Sequence, residues 1–147
     1  KHLGGVQPRA VAWRNFAGMA GSWSLLGFGM FSLIEKATGR WLGRVGPIRP
    51  DGWPGTEVGW GVTREAQGKG FAYEAAVASM DFVVDVLGWT EIIHCIDDVN
   101  ERSAALARRL GSTRLRRAMM PPPIEVELQV WGQTADEWRA RRAALRS

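Results

Sequence analysis

The feature that most constrains this chain is a glycine-rich turn at residues 67–72, Gln-Gly-Lys-Gly-Phe-Ala, between a predicted strand and a predicted helix. The strand is expected over 56–63, and the helix over 72–87, where apolar residues recur at helical spacing. Glycines let such a turn approach a ligand closely, and the helix start offers free amides and a positive dipole end. The turn therefore predicts an anion site suited to phosphate.

Two common phosphate-binding patterns do not fit this turn. A nucleotide-hydrolase P-loop needs Ser or Thr after its lysine, but Lys69 is followed by Gly70. A dinucleotide fingerprint counted from Gly68 needs a third glycine where Tyr73 stands. What remains is a strand–turn–helix cradle for a pyrophosphate, or a helix-opening turn in which glycine only relieves strain.

The rest of the chain reads as alternating helices and strands without a dividing linker, which predicts one α/β domain over residues 1–147. Its 46% hydrophobic and 23% charged residues are typical of a globular domain, and no apolar run is long enough for a membrane span. The expected further elements are a helix from 8 ending at Gly21, strands at 25–36, 40–48 and 90–97, a helix at 103–110, a strand at 124–130 and a final helix opened by a Thr134–Glu137 capping box.

Charge and cysteine content limit the partners and the compartment. The net charge is +4, and arginines concentrate in the last third of the chain. They lack interleaved exposed aromatics, so we interpret them as a solvated helix face and a positive rim and expect no nucleic-acid partner. The single cysteine, Cys95, excludes an internal disulfide framework and fits a cytoplasmic location.

The strand before the turn has two different faces. Side-chain alternation places Glu57 on the same face as Gly59 and Gly61, which leaves a bare strip for an extended ligand. Glu57 stands well back from the turn, where the reacting end of such a ligand would lie. It is therefore the candidate general base, acting directly or through water. The alternative is a solvated carboxylate at a strand end.

Four further polar residues lie along the strand and helix that follow. Asn100 is expected to cap the helix that contains Ser103 in its first turn. His94 and Cys95 are neighbours on a strand, so their side chains point to opposite faces and cannot form a nucleophile–base pair. Neither is assigned a role.

These residues together resemble the GNAT N-acetyltransferase superfamily. Gln67-x-x-Gly70-x-Ala72 matches its R/Q-x-x-G-x-G/A signature. The run Glu-Val-Gly-Trp at 57–60, with Asn100-x-x-Ser103 and the later Leu-Gly at 110–111, is similar to the branch that includes the ribosomal-protein alanine acetyltransferases. The resemblance extends over essentially the whole chain.

The resemblance implies a mixed, mostly antiparallel central sheet flanked by helices, with a splay between the strands ending near Thr63 and Asp97. It implies metal-free transfer of an acetyl group from acetyl-CoA to a primary amine, on a protein N-terminus or a small molecule, by direct attack on the thioester. A homodimer is left open. The implied cofactor-binding residues are Val62, Thr63, Gln67, Gly68, Lys69, Gly70, Phe71, Ala72, Asn100 and Ser103.

Two departures from the family pattern shape these expectations. Family members usually begin with a strand and a helix that this chain is expected to lack. A tyrosine that many members carry four residues before the glycine that ends the helix at 103–110 is replaced by Ala107. Ser103 is therefore the candidate donor of a proton to the departing thiolate. A non-catalytic acyl-CoA-binding module that has lost the acid is the alternative function.

Overall fold

The computed structural model describes residues 5–146. A short 3-10 helix, Arg64–Ala66, precedes the glycine turn. The α-helices are α1 (Arg9–Leu26), α2 (Phe71–Asp85), α3 (Glu101–Leu110) and α4 (Ala135–Arg146). The strands are β1 (Phe31–Ile34), β2 (Trp41–Ile48), β3 (Glu57–Val62), β4 (Glu91–Ile96), β5 (Thr113–Met119) and β6 (Glu127–Thr134).

The six strands form one sheet in the order β1-β2-β3-β4-β6-β5. Every neighbouring pair is antiparallel except β3 and β4, which run parallel. The core lies between the sheet and the helices α2 and α4, where Val58, Met80, Ile92 and Trp138 are fully buried. This confirms the predicted α/β architecture. Within residues 5–146, no helix is both long and apolar enough to cross a membrane.

The predicted splay lies between the two parallel strands. β3 and β4 are in register at a single pair, Glu57 opposite Ile93. On their outer sides both strands are paired over their whole lengths, β3 with β2 and β4 with β6. The central pair therefore separates towards Val62 and Ile96 and leaves a gap, which we call the slot.

The prediction for the first third of the chain was wrong at the helix end and at the strand that follows. Helix α1 does not stop at Gly21 but runs to Leu26 and ends at Gly27, whose φ is +76°. The strand expected over 25–36 is therefore only Phe31–Ile34. A glycine inside a helix costs only about 1 kcal/mol, so a left-handed residue is the stronger stop.

Two strands near the end of the chain also differ from the sequence prediction. Strand β6 begins at Glu127 and not at Ile124, because the Ile124 N–H bonds the Pro121 carbonyl in a turn, at 3.0 Å. Strand β5 was missed, and Arg114, Arg116 and Arg117 lie on this exposed edge strand instead of a helix face. A bulge within β5 breaks the alternation that would have revealed it.

Candidate active site

The glycine turn has the backbone that the sequence predicted. Gly68 and Gly70 have φ values of +74° and +85°, and a Cβ on either would meet no atom within 4 Å. Backbone conformation, and not lack of space, is therefore what requires glycine at both positions. Gly70 is the N-cap of α2, and the first helical bond is donated by Glu74, so the amides of residues 71–73 face the open turn.

Two cationic side chains border this turn. Lys69 is exposed within it. From helix α3, the Arg102 guanidinium donates to the Gln67 side-chain oxygen. This contact directs the Gln67 amide nitrogen, a donor, away from Arg102. Arg102 was not predicted as a site residue, because no local sequence pattern signals a contact between residues 35 positions apart.

At the closed end of the slot, two side chains replace one main-chain hydrogen bond. The Ile93 N–H donates to the Thr56 carbonyl at 2.9 Å, and the pairing of Glu57 with Ile93 completes one regular step of the ladder between β3 and β4. The next rung of a parallel ladder would join the Cys95 N–H to the Val58 carbonyl. Instead, the Cys95 N–H donates to Glu57 Oε1 at 3.0 Å. The Val58 carbonyl accepts from His94 Nδ1 at 2.7 Å. We call these four residues, Glu57, Val58, His94 and Cys95, the fork.

Glu57 is buried, with only 6% of its surface exposed. Besides the Cys95 N–H, its carboxylate accepts from the Trp53 indole N–H at 2.6 Å. Burial raises the pKa of Glu57, and the bonds from Cys95 and Trp53 partly offset that rise. A Cβ on Gly59 would lie 3.6 Å from Glu57 Oε1, so the glutamate lies on the glycine-bare face as predicted. The alternative of a solvated strand end is wrong.

Cys95 is a neighbour of Glu57 that the sequence analysis left without a role. Burial and the adjacent Glu57 carboxylate both raise the pKa of the Cys95 thiol. The thiol is therefore protonated at neutral pH and contributes a second, weak donor to the glutamate. Cys95 and His94 do face opposite sides of β4, as predicted.

His94 completes the fork from the helix-covered side of the sheet. Since its Nδ1 must donate to the Val58 carbonyl, its Nε2 accepts from the Ser112 hydroxyl at 3.1 Å. The same hydroxyl oxygen accepts from the Gln133 amide at 2.9 Å. Burial lowers the pKa of His94 to about 4, so the ring is neutral at physiological pH. Hydrogen bonds therefore run from Gln133 through Ser112 and His94 to the Val58 carbonyl. No local sequence pattern predicts this series of contacts.

Helix α3 forms one flank of the slot and carries at its start Asn100 and Ser103, the two polar residues predicted from the sequence. Asn100 Oδ1 accepts from the Ser103 N–H at 3.2 Å, which is the predicted N-cap. The Ser103 hydroxyl oxygen accepts from the Trp60 indole N–H at 3.1 Å and so links α3 to β3. Trp60 also lies 4.7 Å from the His94 ring, on the opposite face from Trp53. Ala107 is fully buried and points inward.

The β3 edge of the slot presents main-chain groups to whatever lies between the strands. The carbonyls of Thr56 and Val58 both point towards β4. Main-chain direction alternates along a strand, so the N–H and C=O groups of Trp60 and Val62 point the same way, into the slot. The Thr63 N–H points oppositely, to Leu42 on β2, at 2.7 Å. The slot therefore has a polar edge between the glycine turn and the fork.

These features are those of a known enzyme family. Residues 1–113 match the family described as Acetyltransferase (GNAT) domain. The chain belongs to the GNAT acetyltransferase family. The six-strand sheet and its splay are the fold that the resemblance predicted.

Solved GNAT structures superpose on most of this chain. An acetyltransferase from Agrobacterium tumefaciens strain C58 superposes with a TM-score of 0.77 at 27% sequence identity. The superposed region spans 90% of this chain and 75% of the Agrobacterium chain. The ribosomal-protein-S5-alanine acetyltransferase from Vibrio fischeri has a TM-score of 0.69 at 18% identity, covering 90% and 78%. Mutant forms of a spermidine/spermine N-acetyltransferase from Vibrio cholerae have a TM-score of 0.62 at 16% identity, covering 76% and 69%. No curated protein sequence matches the chain.

In this GNAT chain the predicted site residues fall into three groups around one slot. Val62 ends β3 at the open end, and Thr63 and the turn 67–72 follow it there. Glu57 lies at the fork, and Asn100 with Ser103 lines the α3 flank. Among the described residues, no three His, Cys, Asp or Glu side chains lie together in a way that could hold a metal ion.

Proposed function

We propose that this chain is an acetyl-CoA-dependent N-acetyltransferase that acetylates a primary amine. The observation that carries the proposal is the slot itself, which has an anion-binding turn at its open end and a buried carboxylate at its closed end. A phosphate-bearing arm laid along the slot would bring its reactive end to that carboxylate. The proposed acceptor is a primary amine, either of a small molecule or of a protein N-terminus.

The residues around the slot fit acetyl-CoA by their donors and charges. The amides of the glycine turn and the Lys69 ammonium suit its pyrophosphate. Main-chain groups of Trp60 and Val62 suit the amides of its pantetheine arm, as an added strand would. When bound, acetyl-CoA supplies an acetyl group activated as a thioester. The proposed binding residues are Val62, Thr63, Gln67, Gly68, Lys69, Gly70, Phe71, Ala72, Asn100 and Ser103.

Glu57 is proposed as the general base that takes a proton from the amine. Burial raises the pKa of its carboxyl, and a carboxylate of higher pKa is a stronger base than a solvated one. The Trp53 indole and the Cys95 N–H fix the orientation of the carboxylate. The remaining lone pairs of its oxygens can accept the amine proton directly or through a water.

Ser103 is proposed as the donor of a proton to the departing sulfur. The Trp60 N–H occupies a lone pair of the Ser103 oxygen, so the serine hydroxyl hydrogen is left to be donated elsewhere. Because Ala107 stands where many members carry tyrosine, no phenol is available at that position.

The test is a thiol-release assay with acetyl-CoA and a panel of acceptors. Two relatives suggest its members: one is named for an alanine of ribosomal protein S5 and the other for spermidine and spermine. Peptides with different N-terminal residues, polyamines and single amino acids should therefore be compared. We expect amine-dependent thiol release with at least one class. Acetyl-CoA binding by calorimetry, without release for any amine, would favour the non-catalytic acyl-CoA-binding module.

A further inference from the structure

Strand β5 carries a one-residue bulge that changes the face on which its arginines lie. Arg114 is opposite Trp131 of β6, whereas Arg116 is opposite Val130, so Leu115 is the extra residue. Trp131 and Val130 are consecutive and point to opposite faces of the sheet. Arg114 and Arg116, two positions apart, therefore also point to opposite faces, which an uninterrupted strand would not allow.

Each arginine has its own partner, which confirms the two faces. The Arg114 guanidinium lies 5.3 Å from the centre of the Trp131 ring, on the side of α3. Arg116 shares the row of Val130 and Cys95 and so lies on the face of the sheet that carries Glu57. There its Nη2 donates to the Pro54 carbonyl at 2.8 Å.

That carbonyl belongs to the loop between β2 and β3, and it follows directly after Trp53. The Trp53 indole N–H is one of the donors that hold the Glu57 carboxylate, at 2.6 Å. Within the loop, the backbone N–H of Trp53 donates a hydrogen bond to the Pro50 carbonyl at 3.1 Å. The guanidinium thus ties this short loop to a strand on the far side of β4 and β6.

We propose that Arg116 is a positioning residue for acetyl transfer, which anchors the loop at Pro54 so that the Trp53 indole holds Glu57 in its reactive orientation. The inference rests on the proposed function of Glu57 as the general base. Arg116 acts on Glu57 through the loop, by its hydrogen bond to the Pro54 carbonyl. The bulge at Leu115 is the device that delivers a guanidinium to this face of the sheet.

The test compares Arg116→Met with Arg114→Met, which removes the same charge from the same strand on the opposite face. We expect Arg116→Met to lower kcat about 10- to 100-fold, as small misplacements of a catalytic group do, with the KM for acetyl-CoA unchanged. Arg114→Met should leave both constants near the wild-type values. Arg116→Lys should restore part of kcat, because its ammonium can still donate to the Pro54 carbonyl.

Two further measurements separate anchoring from a general structural role. Loss of the Trp53 donor raises the pKa of Glu57, so the acid limb of the kcat/KM profile for the amine should move to higher pH in Arg116→Met. On the face of the sheet that carries Glu57, the charged and titratable groups include Glu91 and Cys95 on β4 and Arg116 on β5. Cys95 stays protonated throughout that range, so the shift reports on Glu57.

The second measurement does not depend on activity. The indole N–H resonance of Trp53, identified by its loss in Trp53→Phe, should move in Arg116→Met and stay in place in Arg114→Met. An unmoved resonance would overturn the anchoring, whatever the kinetics show. A moved resonance in a protein that acetylates no amine would keep the anchoring and reject the proposed function instead. Equal losses of kcat in both arginine variants would also overturn it.

Discussion

The two ends of the slot are built in opposite ways. At the fork, Glu57 and His94 are buried, and each is held by at least two hydrogen bonds from other elements of the fold. At the glycine turn, residues 67–70 are exposed and a Cβ on Gly68 or Gly70 would meet open space. One end is thus completed by protein contacts, and the other presents donors outward. Chemistry needs the first arrangement and ligand capture the second.

The difference predicts that damage at the fork changes turnover, whereas damage at the turn changes affinity. The largest effect should come from Glu57→Gln. Glutamine keeps an oxygen for the Cys95 N–H but cannot take a proton, so kcat should fall about 100- to 10,000-fold, the range for a lost general base. The Kd for acetyl-CoA, measured by calorimetry, should stay close to that of the wild type.

Glu91→Gln is the matched control for this loss of charge. Glu91 lies on the neighbouring strand, and its carboxylate is 3.3 Å from where a Cβ on Gly55 would stand, but its side chain is exposed. Its replacement should leave kcat unchanged. If Glu57→Gln retained the wild-type kcat across the pH range, the fork would be a structural feature only.

A second large effect concerns the stability of the fork and not its chemistry. The unfolded state binds a proton on His94 below pH 6.5, whereas the folded state does so only below about 4. The stability that the neutral His94 contributes is therefore complete above pH 6.5 and is lost as pH falls towards 4. At about 1.4 kcal/mol per pKa unit, the loss amounts to about 3 kcal/mol.

His94→Asn should remove this part of the pH dependence. Asparagine keeps a donor near the position of Nδ1 for the Val58 carbonyl but does not titrate. Urea unfolding of both proteins between pH 6.5 and 4 isolates the histidine, since carboxylate contributions cancel in the difference. The wild-type free energy of unfolding should drop by about 3 kcal/mol more than that of the variant. Parallel curves would mean that His94 is charged in the fold.

A smaller effect is expected at the open end, where Gly70 and Gly88 form a matched pair. Both flank α2, both have positive φ (+85° and +68°), and a Cβ on either would meet nothing within 4 Å. Alanine at either position should therefore lower the free energy of unfolding by a similar amount, about 1–2 kcal/mol, which is the cost of a left-handed backbone for a residue with a Cβ. Only Gly70→Ala should also weaken acetyl-CoA binding, by about tenfold, because relaxation of the strain turns the amides away. Equal affinities in the two variants would place the cofactor elsewhere.

The contrast between the two ends also explains what the sequence could predict. The glycine turn, the strand before it and the Asn100 cap are local features. Their backbone conformations are determined by residues adjacent in the sequence, so the sequence predicts them. Glu57 was found because alternation sets its face. The contacts that complete the fork come from His94, Ser112 and Gln133, on elements far apart in the chain. No periodicity encodes such contacts.

Strand β5 was also not predictable from the sequence, because its residue pattern is irregular. A period of two identifies a strand only while the ladder is uninterrupted. The bulge at Leu115 breaks that period at the position where it delivers Arg116 to the face of Glu57. The irregularity that hid the strand from the sequence is therefore the one that gives it a part in the site.

The smallest predicted effect lies on the flank between the two ends, at Ser103. Ser103→Ala removes both the proposed proton donor and the acceptor of the Trp60 indole N–H. Loss of that one hydrogen bond should cost about 1 kcal/mol in unfolding experiments. Because a thiol can leave as a thiolate without an acid, kcat should fall by less than the roughly 100-fold lower limit for a full general acid. Ser103→Thr keeps the hydroxyl and serves as the control. If the threonine variant recovers stability but not kcat, the hydroxyl holds Trp60 in place, and the proton reaches the sulfur from another group. If it recovers both, the hydroxyl serves the reaction as well as the fold, and the α3 flank belongs with the fork as part of the chemical end of the slot.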